Sequence, residues 1–84
     1  MKVTVRLFAS YRDRAGKANF ELELPEGATV GEAAHEVLRV FPRMAREPSS
    51  LVVAVNQEYV DHTYVLHERD ELAFIPPVSG GAYD

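Results

Sequence analysis

The residues of this chain best suited to chemistry lie near its carboxyl end, where two prolines are followed by two glycines. Pro76 and Pro77 come directly after an apolar stretch, and Gly80 and Gly81 follow after two further residues. Proline fixes φ and keeps a segment extended, whereas glycine has no Cβ and fits where a side chain would collide. Residues 76–81 can span about 20 Å. Such a segment can carry a carboxylate into a narrow pocket of another protein.

The other side chains that could do chemistry lack the arrangement that the chemistry needs. The three histidines, His35, His62 and His67, do not have the convergent spacing of metal ligands, so no metal site is predicted. Ser79 has no histidine partner that could activate it as a nucleophile, and we interpret it as a small spacer. The tail is therefore the main candidate for function.

Composition narrows the class of protein further. The chain has 84 residues, a size typical of one small domain with one core. It has no cysteine, which excludes disulfides and a cysteine nucleophile. The net charge is −4 with scattered lysine and arginine, which argues against nucleic-acid binding and is compatible with a basic protein partner. Without a membrane-spanning run or a signal-peptide pattern, we expect a cytoplasmic location.

Hydrophobic periodicity predicts an α+β domain in which one main helix packs across a mixed sheet of four to five strands. Thr29 and Glu32 form a capping box at the start of the helix, and Pro42 ends it. A short helical turn is expected at residues 43–47. The stretch 51–55 is apolar throughout, which is typical of a strand that is covered on both faces or central in a sheet. Strands are predicted at residues 3–7, 20–24, 51–55, 59–60 and 71–75. Periodicity alone does not determine their order.

Five short motifs are spread over essentially the whole length of the chain: residues 7–9 with 12–16, residues 29–32, residues 53–57, residues 70–71 and residues 76–81. Together they resemble the motifs of the MoaD/ThiS family of ubiquitin-like sulfur carriers. The tail resembles that of MoaD, the small subunit of molybdopterin synthase, more than that of ThiS. The resemblance implies a β-grasp domain at residues 1–75 and an extended tail at residues 76–84.

The resemblance also implies a chemical role for Gly81, with Gly80 beside it. A separate MoeB/ThiF-like adenylating enzyme would use ATP to activate the Gly81 carboxylate, and sulfur would then convert it into a thiocarboxylate. A MoaE-like large synthase subunit would receive that sulfur. The chain itself would bind no cofactor and would not be catalytic alone, because it contributes placement of the reacting group.

Two features depart from the family pattern. Ala82, Tyr83 and Asp84 follow Gly81, so the resemblance implies that a JAMM-type metalloprotease cuts the Gly81–Ala82 bond. The turn before the last strand usually carries glycine-aspartate, and here it is Arg69 followed by Asp70. We expect this change to cost little, because a type I turn accepts most residues.

Strand alternation predicts a partner-binding surface on the sheet face away from the helix. Phe8, Tyr59 and Ile75 are expected to form an apolar patch there, and exposed aromatic patches commonly mark partner sites. The alternative is that these residues are half-buried positions at the sheet edges. The tail residues Pro76, Pro77, Val78 and Ser79 complete the predicted partner-binding set.

Three other functions remain open from the sequence. The chain could be a ubiquitin-like modifier that joins Gly81 to lysines of other proteins, since the same tail and activation chemistry serve both roles. It could be a ThiS-like carrier for another sulfur pathway. It could also be an interaction module whose tail is chemically inert.

Overall fold

A computed structural model describes residues 1–77 as one mixed sheet of five strands with its main helix packed across one face. This confirms the predicted α+β architecture. A short 3-10 helix at Pro48–Ser50 precedes the third strand. The strands and α-helices, in chain order, are β1 (Lys2–Leu7), α1 (Ala9–Ala15), β2 (Asn19–Glu23), α2 (Val30–Val40), β3 (Val52–Val55), β4 (Glu58–Val60) and β5 (Glu71–Ile75).

The spatial order of the strands is β2-β1-β5-β3-β4, so the last strand of the chain lies at the centre of the sheet. β1 and β5 run parallel, with Val5 opposite Leu72 and Leu7 opposite Phe74. The three other pairings are antiparallel. β5 is thus hydrogen-bonded on both sides, which places the start of the tail at the end of the central strand of the sheet.

The core lies between the sheet and α2, and its members follow the predicted periods. Alternate residues of the central strands point toward α2, and one face of α2 points back. The capping box predicted at Thr29 and Glu32 is present at the start of α2. Phe41 ends the helix as its C-cap, with its ring centroid 5.2 Å from that of Phe20. The fully buried side chains include Val3, Val5, Leu7, Val30, Val37, Met44, Val53, Leu66, Leu72 and Phe74.

The predicted main helix is α2, and the sequence analysis missed α1, a second and shorter helix directly after β1. Its sequence is mostly polar, and Tyr11 is its only buried residue. Gly16 ends α1 in the left-handed conformation, with φ of +80°, and its N–H donates to the carbonyl of Arg12 at 2.9 Å. α1 escaped prediction because one buried side chain makes no periodic apolar stripe.

The helical turn expected at residues 43–47 is also absent. The chain instead makes a non-helical turn in which the Met44 N–H donates to the carbonyl of Phe41 at 3.1 Å. The nearest helical segment is the 3-10 helix, which begins at Pro48. Met44 is fully buried here and anchors the loop to the core.

The expectation that Arg69 is easily accommodated is wrong as well. Arg69 has φ of +69°, in the left-handed region that glycine adopts without strain. The type I turn assumed from the sequence has no such residue at its centre. The arginine therefore holds a conformation that the family's usual glycine would hold at lower cost.

Candidate functional site

The tail begins at the end of β5, and the structure describes its first two residues. Ile75 is the last strand residue, Pro76 is half-buried and Pro77 is exposed. Since β5 is paired with β1 on one side and β3 on the other, the point where the tail leaves the domain is fixed by two rows of hydrogen bonds. The predicted site residues Val78, Ser79, Gly80 and Gly81, and the predicted cleavage point at Gly81–Ala82, lie outside the described residues.

The three side chains predicted for the docking patch all lie on the outer face of the sheet, away from α2. Phe8 is 40% exposed and Tyr59 is 72% exposed, whereas Ile75 is half-buried. Phe8 follows Leu7, which is paired with Phe74, so the parallel register places Phe8 beside Ile75. The outer face therefore carries apolar side chains next to the base of the tail.

Val52 belongs to the same surface, and the sequence analysis missed it. It pairs directly with Ile75 across β3 and β5, and it is 49% exposed. The uniformly apolar run 51–55 suggested a strand that is covered on both faces or central. β3 does lie between two strands, but its outer face is open at Val52. We call Phe8, Val52, Tyr59 and Ile75 the outer-face patch.

A second row of side chains crosses the sheet beside Val52 and Ile75. The strand pairings align Tyr59 with Ala54, Ala54 with Ala73, and Ala73 with Arg6. Two small side chains thus separate Tyr59 from Arg6. The outer-face patch lies beside this strip, with Tyr59 at one end of it, and Ala54 is itself buried by its neighbours.

Arg6 joins the patch to the polar part of the outer face. Its guanidinium lies 5.9 Å from the ring centroid of Phe8, and its Nη1 lies 3.0 Å from Oε2 of Glu71. A cation close to an aromatic ring is attracted by its π electrons. The Arg6 side chain is 51% exposed, so these contacts stabilise the orientation of Phe8 more than they stabilise the fold.

A polar cluster at the other end of β5 has a structural role. Asp70 is buried and accepts hydrogen bonds from Asn56 Nδ2 at 3.0 Å and from the His67 N–H at 2.8 Å. The Asn56 Oδ1 accepts from the Glu71 N–H at 3.0 Å. Asn56 and Gln57 both have positive φ, as the two central residues of a type I′ hairpin require. This cluster joins the β3–β4 hairpin to the start of β5.

Residues 1–77 contain no group of histidine and acidic side chains arranged to hold a metal ion. His62 Nε2 lies 2.7 Å from the carbonyl oxygen of Leu51, which is a structural hydrogen bond. The shifted pKa values have local causes. Burial raises the pKa of Tyr11, and the hydrogen bond from Arg39 lowers the pKa of Glu36. The described part of the chain thus offers a docking surface and a tail base.

No helix among the described residues combines the length and the apolar character that crossing a bilayer requires.

Sequence comparison decides the family. The sequence model of the ThiS family matches residues 5–81, which is nearly the whole chain and ends at the second glycine of the tail. The chain belongs to the ThiS family. The molybdopterin synthase sulfur carrier subunit of Arabidopsis thaliana is 37% identical to it over 81 residues, which cover 96% of this chain and 84% of that protein.

Solved structures of related proteins have the same architecture. The putative molybdopterin converting factor, subunit 1, of Pyrococcus furiosus matches with a TM-score of 0.83 at 32% identity, covering 93% of this chain and 99% of that chain. SAMP1 of Haloferax volcanii matches with a TM-score of 0.83 at 27% identity, covering 96% of this chain and 100% of that chain. These matches confirm the predicted β-grasp fold of this ThiS family member. The roles of its individual site residues stay predictions.

Proposed function

We propose that this chain is the sulfur carrier subunit of a molybdopterin synthase and that it carries sulfur as a thiocarboxylate on Gly81. The observation that carries the proposal is structural. The central strand β5 ends in a diproline at the rim of an exposed apolar patch, and the sequence continues to a diglycine at which the family match ends. The name of the Arabidopsis relative supports the same role.

The proposed reaction needs an activated carboxylate, because a free carboxylate is a poor electrophile. A MoeB/ThiF-like partner would catalyse attack of the Gly81 carboxylate on ATP, giving the acyl-adenylate and pyrophosphate. Sulfide would displace AMP and leave the thiocarboxylate directly, whereas a persulfide would first give an acyl disulfide, which a thiol would cleave to the thiocarboxylate and a new disulfide. In the large subunit, the thiocarboxylate sulfur would bond to the pterin precursor, and water would hydrolyse the resulting thioester to leave the sulfur on the pterin and a carboxylate on Gly81.

The domain would position the Gly81 carboxylate for this chemistry. Gly80 and Gly81 carry no side chain and so place the least bulk in the two successive active sites that must receive them. Ordering such a tail costs conformational entropy, and docking of the folded body must offset that cost. The outer-face patch would supply this docking energy to a MoaE-like large subunit and to the adenylating enzyme in turn.

Residues 82–84 would block the reaction while they remain attached, because the carboxylate must belong to Gly81. Removal of Ala82, Tyr83 and Asp84 by a JAMM-type metalloprotease would expose it. The end of the family match at residue 81 supports this division of the tail.

Mass spectrometry of a reconstituted reaction tests the proposed chemistry. The chain ending at Gly81 and the chain ending at Asp84 are each incubated with the cognate adenylating enzyme, ATP and a sulfide source. We expect the shorter chain alone to gain the mass difference of one sulfur for one oxygen. The proposal fails if the shorter chain shows neither this gain nor ATP–pyrophosphate exchange. Equal reactivity of both chains would show that residues 82–84 do not block activation.

The docking surface can be tested with a matched pair of variants. Val52 and Val65 are exposed to similar extents, 49% and 46%, but only Val52 belongs to the outer-face patch. We expect Val52→Asp to weaken binding to the large subunit about tenfold or more, since a charge in a buried contact is poorly tolerated. Val65→Asp should change the affinity for the large subunit less than about twofold. Equal effects of the two substitutions would remove the patch from the proposal.

Ile75→Asp is expected to abolish binding to the large subunit, with the fold checked by circular dichroism.

A second function, covalent modification of other proteins through Gly81, is favoured by one specific observation. SAMP1 of Haloferax volcanii, also described as small archaeal modifier protein 1, matches this chain with a TM-score of 0.83. Proteomic analysis of cells that make this chain distinguishes the two functions. Tail remnants on lysines of other proteins would support the modifier, whereas only the free thiocarboxylate form would support the carrier.

A further inference from the structure

The charges of this acidic chain are unevenly distributed. Residues 9–18 and 39–47 contain six of the nine lysines and arginines but only two of the thirteen carboxylates. The first segment is α1 with the turn after it, and the second is the end of α2 with the following loop. The fold brings these two basic segments together, because Arg14 Nη1 donates a hydrogen bond to the carbonyl of Met44 at 3.0 Å.

The two basic segments enclose a groove at the base of the tail. This groove, which we call the basic groove, has a volume of about 300 Å³. Tyr11 and Met44 form its apolar floor, Arg14 and Arg46 lie along it, and Pro77 stands at its edge. Glu47 also lines the groove, but its Oε1 is 3.1 Å from the hydroxyl of Ser49, which donates to it.

The groove at the opposite end of the sheet has no such excess of positive charge. It lies at the start of β1, has a volume of about 600 Å³, and is lined by three glutamates against two side-chain cations and the amino group of Met1. Outside the two basic segments the chain has three lysines and arginines against eleven carboxylates, so its net negative charge comes from the rest of the sequence, while the tail leaves beside the basic groove. The charged side chains of this second groove are Lys2, Glu21, Glu23, Glu68 and Arg69.

We propose that the proteins that receive the tail present an acidic surface around the mouth of the receiving channel, and that this surface docks on the basic groove. The proposal rests on the proposed carrier function. It reverses the expectation of a basic partner that the net charge of −4 suggested. Charge complementarity acts between the surfaces that meet, and the surface at the tail base is basic.

The position of the groove favours a protein surface over an anionic substrate as its occupant. Gly81 is the fourth residue after Pro77, and this stretch can span about 14 Å. The reacting end is thus within reach of a substrate deep in a channel, while the groove lies where the channel mouth must be. The groove also adjoins the outer-face patch, because Pro77 follows Ile75 by two residues. Both surfaces can contact one partner at the same time.

A matched pair of charge reversals tests the proposal. Arg46 lies in the basic groove and Arg69 in the opposite groove. Both are exposed, and neither side chain forms an ion pair within residues 1–77. Arg46→Glu and Arg69→Glu therefore change the net charge equally at two different places. Because Arg69 holds a left-handed backbone conformation, circular dichroism of both variants checks that the fold is retained. Each variant, ending at Gly81, is mixed with the cognate large subunit and with the cognate adenylating enzyme in a stopped-flow instrument.

We expect Arg46→Glu to slow association about tenfold at about 50 mM salt, and Arg69→Glu to change it less than about twofold. The difference should vanish near about 1 M salt, where electrostatic attraction is screened. Equal effects of the two substitutions, or faster association of Arg46→Glu, would overturn the acidic docking surface while leaving the carrier function intact. If the unsubstituted chain binds neither protein, the carrier function fails, and this proposal fails with it.

Discussion

At the scale of single residues, the clearest departure from an ideal sequence is Arg69, which holds a left-handed backbone conformation in the turn before β5. Its N–H donates to the carbonyl of Lys2 at 2.8 Å, so the turn is tied to the start of β1 and cannot relax freely. This conformation costs an L-residue with a side chain roughly 1 kcal/mol. The sequence does not reveal this strain, because arginine is a common residue in polar turns.

Replacing Arg69 with glycine should therefore stabilise the protein by about 0.5–1 kcal/mol, because the relief of backbone strain exceeds the added entropy of the unfolded chain. Urea denaturation monitored by circular dichroism measures the change. Gly16→Ala is the opposite control. Gly16 has φ of +80°, and a Cβ added there would have nothing within 4 Å. The Gly16→Ala variant should therefore lose about 1 kcal/mol of its free energy of unfolding through backbone strain alone. A destabilised Arg69→Gly variant would contradict the assignment of strain.

Asp70 is one of the residues on which the family resemblance depends, and the structure gives it a role in the fold. Its carboxylate is buried and accepts hydrogen bonds from the side-chain amide of Asn56 and from the backbone N–H of His67. Asp70→Ala leaves both donors without this acceptor, so the free energy of unfolding should fall by about 2 kcal/mol. Asp13, whose side chain is 79% exposed, provides the control, and Asp13→Ala should change stability by less than about 0.5 kcal/mol. Similar losses in both variants would show that the buried cluster contributes no specific stability.

At the scale of elements, α2 is the part of the fold most completely encoded in local sequence. The Thr29 hydroxyl accepts from the Glu32 N–H at 3.3 Å, and Glu32 Oε1 accepts from the Thr29 N–H at 2.8 Å. A threonine, a glutamate three residues later and an apolar stripe are all visible in the sequence. This is why the helix and its start could be predicted.

Thr29→Ala should lower the free energy of unfolding by about 1 kcal/mol, since it removes the hydroxyl that satisfies the amide of Glu32. Thr29→Ser keeps the hydroxyl and should retain most of the stability. Thermal or urea denaturation of the two variants measures the difference. If serine and alanine are equally destabilising, the lost methyl group, rather than the cap, is responsible.

Other elements could not be predicted, and the reasons are physical. α1 buries Tyr11 alone, so its helical period leaves no apolar stripe to detect. Val52 belongs to an apolar run, and hydrophobicity does not reveal that one face of the strand is open to a partner. The buried positions of Met44 and Leu66 depend on loops whose paths are set by tertiary packing. The strand order likewise depends on long-range pairing, which periodicity does not encode.

At the scale of the whole molecule, the core and the proposed reactive end are separate. Within residues 1–77, every member of the buried core lies between Val3 and Phe74, and Gly81 lies seven residues beyond Phe74 in the sequence. Stability and sulfur transfer should therefore respond to different substitutions. The outer-face patch and the basic groove lie between these two regions and would connect the folded body to its partners.

A chain ending at Pro77 should show this separation directly. We expect its free energy of unfolding to lie within about 0.5 kcal/mol of that of the chain ending at Gly81, because the buried core described within residues 1–77 is retained in full. It should gain no sulfur in the reconstituted reaction. Denaturation and mass spectrometry of the same two samples measure both properties. A large loss of stability would show that residues 78–81 contribute to the fold.

The pairing of β5 has a mechanical consequence. β1 and β3 hold β5 along both of its edges, and β1 runs parallel to it. A force applied along the tail would load these hydrogen bonds in shear, so many must break together before the strand moves. The domain can therefore be pulled free of a tight channel without unravelling from its C-terminal strand, which would suit the proposed release from one partner before binding to the next.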